Sequence, residues 1–377
     1  MSSRLVLRLR SLAASYGVIL SLLVCLNCPA YKTYAPCDEK LAGEIGGSGF
    51  NWTDVSPDGT RLLYDDSGRL YEMRLSTSIA SEIKAARIIP QEVAWGAHYS
   101  SDGKRIAFAL SGREPRDSCP SNVYVLDLKS GKRDQVTHQG GGVESPFFSP
   151  DGKKIAYQKA NELYEPGMFA GPAPGWKNYD LYTIGTDGTE EKRLTSESYL
   201  SSVSSLSWSP DGKALLYSTP LPKEHIADQT DEIVRLETDA KSPPTPLTIP
   251  NFKTPEENNW NCMRTNHSPS YSPDGRKIAF IAYQGPYDCK SNEIWQIWTM
   301  AADGSRQRQI TDFKRRLVED AMFDRSGRRI IFRFTCTKEE YGPYAEEFWS
   351  IKPDGSDSRR LLRLYAQPGA PDECSLN

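Results

Sequence analysis

One short unit, repeated along the chain, constrains the fold more than any bulk property does. At Tyr271-Ser272-Pro273-Asp274-Gly275-Arg276-Lys277-Ile278-Ala279-Phe280 an aromatic residue leads into a turn, two basic residues and a short apolar run. Proline presets φ at the second turn position, aspartate bonds back to the local backbone, and glycine accepts positive φ. The unit therefore predicts two antiparallel strands joined by a tight hairpin. Copies begin at Ser56, Ser100, Ser149, Ser209, Ser272 and, in degraded form, Asp324, spaced 44, 49, 60, 63 and 52 residues apart. A single such turn would mean little, but this many in register mark a repeat architecture.

Each repeat continues with a third apolar run, such as Val123-Tyr124-Val125-Leu126 or Ile297-Trp298-Thr299-Met300. A second Asp-Gly turn often follows, and then a fourth short segment such as Arg193-Leu194-Thr195 or Gln309-Ile310-Thr311. The expected fold is all-β: a six-bladed β-propeller of four-stranded antiparallel blades over residues 49–365, in which each small sheet packs only on its neighbours. The turn spacing leaves no room for long helical periods. Residues 31–48 form a lead-in too short for a second domain, and residues 366–377 a carboxyl-terminal tail.

The first 30 residues read as a targeting segment outside the fold. Arg4, Arg8 and Arg10 precede an uncharged stretch at 11–27, the pattern of a secretory signal peptide. A retained membrane anchor, or a lipid on Cys25 or Cys28, are the alternatives, so membrane contact is expected only through this segment. Its removal leaves 43 basic against 49 acidic side chains, a net charge of −6. A mildly acidic exported domain is not a nucleic-acid binder.

The unit aromatic-Ser-Pro-Asp-Gly-basic-basic-Ile-Ala-Phe, followed by a strand, Asp-Gly and Arg-Leu-Thr, resembles the TolB-type, WD40-like propeller repeat over residues 50–365. The resemblance is to the propeller only, without a counterpart of the TolB amino-terminal domain in residues 31–48, and it implies a bacterial, extracytoplasmic, periplasmic protein; protein binding is expected from the loops described below. Similar repeats also occur in prolyl oligopeptidase-like enzymes and in metal-dependent polysaccharide lyases that use histidines in the channel.

Catalytic machinery is sparse in the sequence. Gly46-Gly47-Ser48-Gly49-Phe50 fails the nucleophile-elbow pattern at its last position, and no glycine-rich loop leads from a strand into a helix. His98, His138, His225 and His267 lie in four different repeats, without metal-ligand spacing. No catalytic residue and no cofactor is expected.

Two constellations remain. Five residues before each turn the innermost strand carries Asn51, Trp95, Glu144, Ser204, His267 or Glu319, with Asp320 beside the last. These positions converge on the mouth of a central channel, where Glu144, His267 and Glu319 would hold a divalent cation or a cationic ligand group; the plain alternative is a hydrated polar funnel. Long insertions at 159–180, 220–231, 241–266, 283–292 and 335–346 all fall on the end of the propeller opposite the Asp-Gly turns. They carry Trp176, Trp260, Tyr287 and Tyr341, aromatics suited to a protein, peptide or glycan ligand, or else lids over the blade edges.

Six cysteines remain after the leader: Cys37, Cys119, Cys262, Cys289, Cys336 and Cys374. In an exported chain an even count favours disulfides. On the blade assignment all of them fall at the loop-bearing end. Cys262–Cys289 is the first expected pair and Cys374 with Cys37 or Cys336 the second; Cys119 is the hardest to place, and it pairs with Cys37 if the lead-in reaches past blade one.

The expected activity is thus that of an exported, non-catalytic binding or scaffold module. The competing reading is a metal-dependent, lyase-like or other propeller enzyme with its site at the channel mouth.

Overall fold

The hairpin turns are all tied by the same bonds. In the fifth repeat the Ser272 N–H donates to Lys277 O (2.8 Å) and the Gly275 N–H to Ser272 O (2.8 Å). The Ser272 hydroxyl donates to Asp274 Oδ1 (2.6 Å) and accepts the Lys277 N–H (2.9 Å). The serine–aspartate bond recurs at 2.6 Å after Ser56, Ser100, Ser149 and Ser209. In the degraded copy Asp324 replaces the serine, and its carboxylate accepts the Arg329 N–H at 3.1 Å. The serine hydroxyl is the first cause that holds Asp274 below the usual carboxylate range, so the turn stays anchored over ordinary pH.

The computed structural model describes residues 50–66, 69–75, 86–87, 93–111, 121–138, 141–164, 175–196, 206–220, 231–248, 264–284, 295–313, 317–337 and 344–366. They form six four-stranded sheets, each with its strands in chain order, and all the pairings are antiparallel. Blade one holds β1 (Phe50–Val55), β2 (Arg61–Asp66), β3 (Arg69–Arg74) and β4 (Ala86–Arg87). Blade two holds β5 (Val93–Tyr99), β6 (Arg105–Ser111), β7 (Ser121–Asp127) and β8 (Arg133–Gln135). Blade three holds β9 (Val143–Phe148), β10 (Lys154–Tyr164), β11 (Gly175–Gly185) and β12 (Lys192–Arg193). Blade four holds β13 (Ser207–Trp208), β14 (Ala214–Pro220), β15 (Asp231–Glu237) and β16 (Thr245–Pro246). Blade five holds β17 (Arg264–Tyr271), β18 (Lys277–Gln284), β19 (Trp295–Ala301) and β20 (Arg308–Gln309). Blade six holds β21 (Leu317–Phe323), β22 (Ile330–Thr337), β23 (Tyr344–Ile351) and β24 (Arg359–Ala366).

The core is distributed among the interfaces between blades. The second strands are apolar on both faces because each face meets a different neighbour. In β18, Ile278, Phe280 and Ala282 pack toward blade four with Leu216 and Ile233. Ala279 and Ile281 pack toward blade six with Phe332 and Phe334. The ring closes on the same principle: Val55, Leu62 and Tyr64 of blade one share a core with Ile331, Phe348 and Leu362 of blade six. Blade six supplies its own fourth strand, β24, paired along β23, so among the described residues no strand is exchanged across the seam.

First strands of successive blades bond to one another, which places them around the axis. Asp54 Oδ2 accepts the Tyr99 N–H (2.8 Å), Ser207 Oγ the Tyr271 N–H (3.0 Å) and Ser270 Oγ the Phe323 N–H (3.1 Å). The threonine that ends each Arg-Leu-Thr-like segment caps the third strand. Thr311 Oγ1 accepts the Ile297 N–H (2.9 Å) and donates to Gln296 Oε1 (2.8 Å). In blade four Thr248 caps Ile233 (2.8 Å) and donates to the buried Glu232 (2.5 Å).

The turn end is also locked between blades. A Cβ built on Gly103 would stand 3.2 Å from Pro57 Cδ, so the proline of one turn sits against the glycine of the next. Blade two has Ser101 where blades one, three, four and five carry proline, and there Arg105 reaches across, its Nη2 donating to Gly152 O at 2.9 Å.

One expectation from the sequence needs correction. The insertion at 159–180 is not a loop throughout. The β10–β11 ladder runs past Lys159↔Asp180 to Tyr164↔Gly175, a hairpin longer than its counterparts. Trp176 therefore lies on β11, opposite Leu163. In blade six the ladder likewise continues to Thr337↔Tyr344, with Cys336 opposite Ala345.

Candidate functional site at the loop-bearing end

Trp95, Glu144, His267 and Glu319 all lie on first strands, as do Asn51 and Asp320, while Ser204 lies outside the described residues. The first strands bulge here. Glu144 and His267 are the last regular pairs before a two-residue interruption, whereas in blade six Val318 is the last regular pair. Glu319 and Asp320 both stand inside that bulge, opposite Arg333. A bulge re-aims side chains, and here it brings two carboxylates to one guanidinium.

The three proposed cation ligands each engage a partner of their own. Glu144 Oε1 accepts the Tyr179 hydroxyl at 2.9 Å. Glu319 forms an ion pair with Arg333 and accepts Thr335 Oγ1 at 3.5 Å. His267 Nδ1 lies 3.4 Å from Asp231 Oδ2, and its Nε2 lies 3.1 Å from Thr265 Oγ1. Among the described residues, no three His, Cys, Asp or Glu are grouped so as to hold a metal ion. Trp260, Tyr287 and Tyr341 lie outside the described residues, as do Cys37, Cys119, Cys262, Cys289 and Cys374. Trp176 and Cys336 are placed by their strand positions alone.

The geometry adds groups that counting from the turns did not single out. Asp231 opens β15, and burial pushes its carboxyl up to about 6. Burial also lowers His267, which keeps the imidazole neutral at pH 7. The ring of His267 lies 5.1 Å from that of Trp295, which in turn lies 5.3 Å from Tyr283. The order hydroxyl, imidazole, carboxylate is the one nucleophilic catalysis uses. However, Thr265 Oγ1 also accepts the Asp231 N–H at 3.2 Å, which draws electron density from the oxygen and ties β17 to β15. The trio is a clasp between blades four and five.

A second cluster lies at the seam. Arg333 Nη2 stands 3.7 Å from Asp320 Oδ2, and Ser268 Oγ donates to Asp320 Oδ1 at 3.4 Å. Burial pushes Asp320 up to about 6. Burial lowers Arg333, while the charges of Glu346 and Asp65 act in the opposite direction. Glu346 is itself raised by burial, against the pull of Arg333. The sequence signal for this cluster was a lone arginine inside the apolar run Ile330-Ile331-Phe332-Arg333-Phe334, next to the acidic pair of the preceding strand. On β5 the buried His98 stacks on Phe147, with ring centroids 3.5 Å apart, and faces Asp54 at 3.7 Å.

Comparison with known proteins places this geometry in context. The crystal structure of TolB from Acinetobacter baumannii superposes with a TM-score of 0.53 at 20% identity, covering 85% of this chain and 65% of that one. The fold is that of a TolB-type propeller. Tol-Pal system protein TolB of Anaeromyxobacter dehalogenans is 27% identical over 173 residues, 43% of this chain and 32% of that protein. An uncharacterized peptidase, YuxL of Bacillus subtilis, is 27% identical over 205 residues, 49% of this chain and 28% of that protein. Residues 100–220 match the family profile of the dipeptidyl peptidase IV N-terminal region. The chain thus spans less than a third of the length of these curated relatives. The similar proteins thus include both a Tol-Pal system protein and one described as a peptidase.

Proposed function

We propose that this chain is an exported, extracytoplasmic binding or scaffold propeller that holds a peptide, protein or glycan on its loop-bearing end without catalysing a reaction. The observation that carries the reading is the contrast between the two ends. The turn end is built from repeated short turns bonded internally and pressed blade to blade, which leaves little freedom to vary. The opposite end carries the unequal connections, the long β10–β11 hairpin and the half-buried polar groups of the channel mouth. Variable connections on a rigid scaffold are where binding surfaces arise. TolB relatives favour an extracytoplasmic protein partner, and export favours pairing of the six mature cysteines.

The test uses immobilised protein probed with a peptide array and a glycan array. Trp176→Ala and Trp260→Ala are expected to abolish the hits with the melting temperature unchanged, since an aromatic anchor contributes about 2 kcal/mol or more. A fall of several degrees in both variants marks those rings as lids and overturns the assignment. A stoichiometric divalent cation in the purified protein would point to the metal-dependent, lyase-like enzyme instead.

A further inference from the structure

At the loop-bearing end the blade six–blade one interface carries charge at its rim, above its apolar core. Arg333 touches Glu319 and approaches Asp320, and it feels the charges of Glu346 and Asp65. Two carboxylates therefore meet the guanidinium directly and two more act on it through their charge. Two further observations show that the arrangement is incomplete. Glu346 is only 7% exposed, and its Oε2 is buried with no hydrogen-bond partner. Asp320, 3.7 Å from the Arg333 guanidinium, keeps 29% of its side-chain surface open, so the cluster is reachable from solvent beside it. A carboxylate held in such a place is costly unless a positive group meets it.

We propose that the recess between blades six and one receives a cationic side chain, lysine or arginine, from a polypeptide partner. The inference rests on the reading of the loop-bearing end as the binding end, and it names the chemistry recognised there. The carboxylates favour an organic cation over a divalent metal. A compact metal ion needs several oxygens within about 2.6 Å of one point, and no such group of three occurs among the described residues. A lysine ammonium on its long stem reaches into a recess and accommodates acceptors spread around it.

Calorimetric titration of the full-length protein at low salt tests the proposal, with decalysine as probe and decaserine and calcium alone as controls. Decalysine should bind and decaserine should not. Asp320→Asn and Glu346→Gln should each weaken decalysine at least tenfold, while Asp303→Asn at the turn end leaves it unchanged. Melting curves establish that each variant is folded, and Asp320→Glu, which keeps the charge, should retain most of the affinity. Absence of decalysine binding, or equal binding by wild type and both recess variants, overturns the proposal. So does tight calcium binding that Asp320→Asn removes, which would make the recess a metal site. Loss of this proposal alone leaves array hits that depend on Trp176 and Trp260 intact, so its failure is distinguishable from failure of the binding-end reading.

Discussion

Asp320 shows how a single side chain trades stability for a site. Its folded carboxyl is pushed up to about 6, from an ordinary 3.8, chiefly by burial. The groups that face it are Glu319 beside it, Ser268 from β17 and Arg333 from β22, with Glu346 and Asp65 acting on that arginine. Because the folded state binds the proton more tightly than the unfolded chain, this group favours folding most below pH 4. That contribution is lost as pH rises through 4 to 6. Two units correspond to at most ~3 kcal/mol, offset in part by the loss of the contact with Arg333. Asp320→Asn should therefore melt close to wild type at pH 4 and several degrees above it at pH 7.5. Paired melting series across that range check the sign, and a difference that does not grow with pH contradicts the burial account.

At the scale of turns and strands, the two kinds of glycine turn make different demands. Gly59, at φ +68°, has no atom within 4 Å of a would-be Cβ, whereas Gly355, at φ +86°, would place its Cβ 2.5 Å from Ile310 O of the preceding blade. Gly59→Ala meets only the conformational penalty, about 1 kcal/mol. Gly355→Ala adds a clash with backbone that cannot step aside and should lose about 2–4 kcal/mol in urea unfolding. Equal losses would mean that the blades are not pressed together at the second turn. The turns were also what made the fold legible in the sequence. Ser-Pro-Asp-Gly between an aromatic and Ile-Ala-Phe fixes a hairpin locally, and its recurrence fixes the blade count. What lay beyond local chemistry was harder to read. The short outer strand β16 contains Pro246, tolerated because the strand is an edge. The β10–β11 extension looked like a loop because it lacks a turn signal where the other hairpins end. Glu144, His267, Glu319 and Asp320 could be counted back from the turns, but Asp231, Arg333 and Glu346 could not. Their proximity to the mouth depends on bulges and on contacts between blades.

At the scale of the whole molecule, identical blades form a ring whose interfaces are not identical. Apolar contacts join every adjacent pair, including the closing one through Val55, Phe348 and Leu362. The loop-bearing end breaks this symmetry with a clasp at Asp231 and His267 between blades four and five and a charged recess around Arg333 at the seam. A scaffold uniform at one end and particular at the other is the physical basis for assigning binding to the particular end. Hydrogen–deuterium exchange with and without decalysine tests that assignment most directly. The account predicts slowed exchange in peptides from the loop-end halves of β17, β21 and β23, with the turns at 56–60, 272–276 and 303–305 unchanged. Protection concentrated at those turns, with the loop-bearing end unaffected, would contradict it.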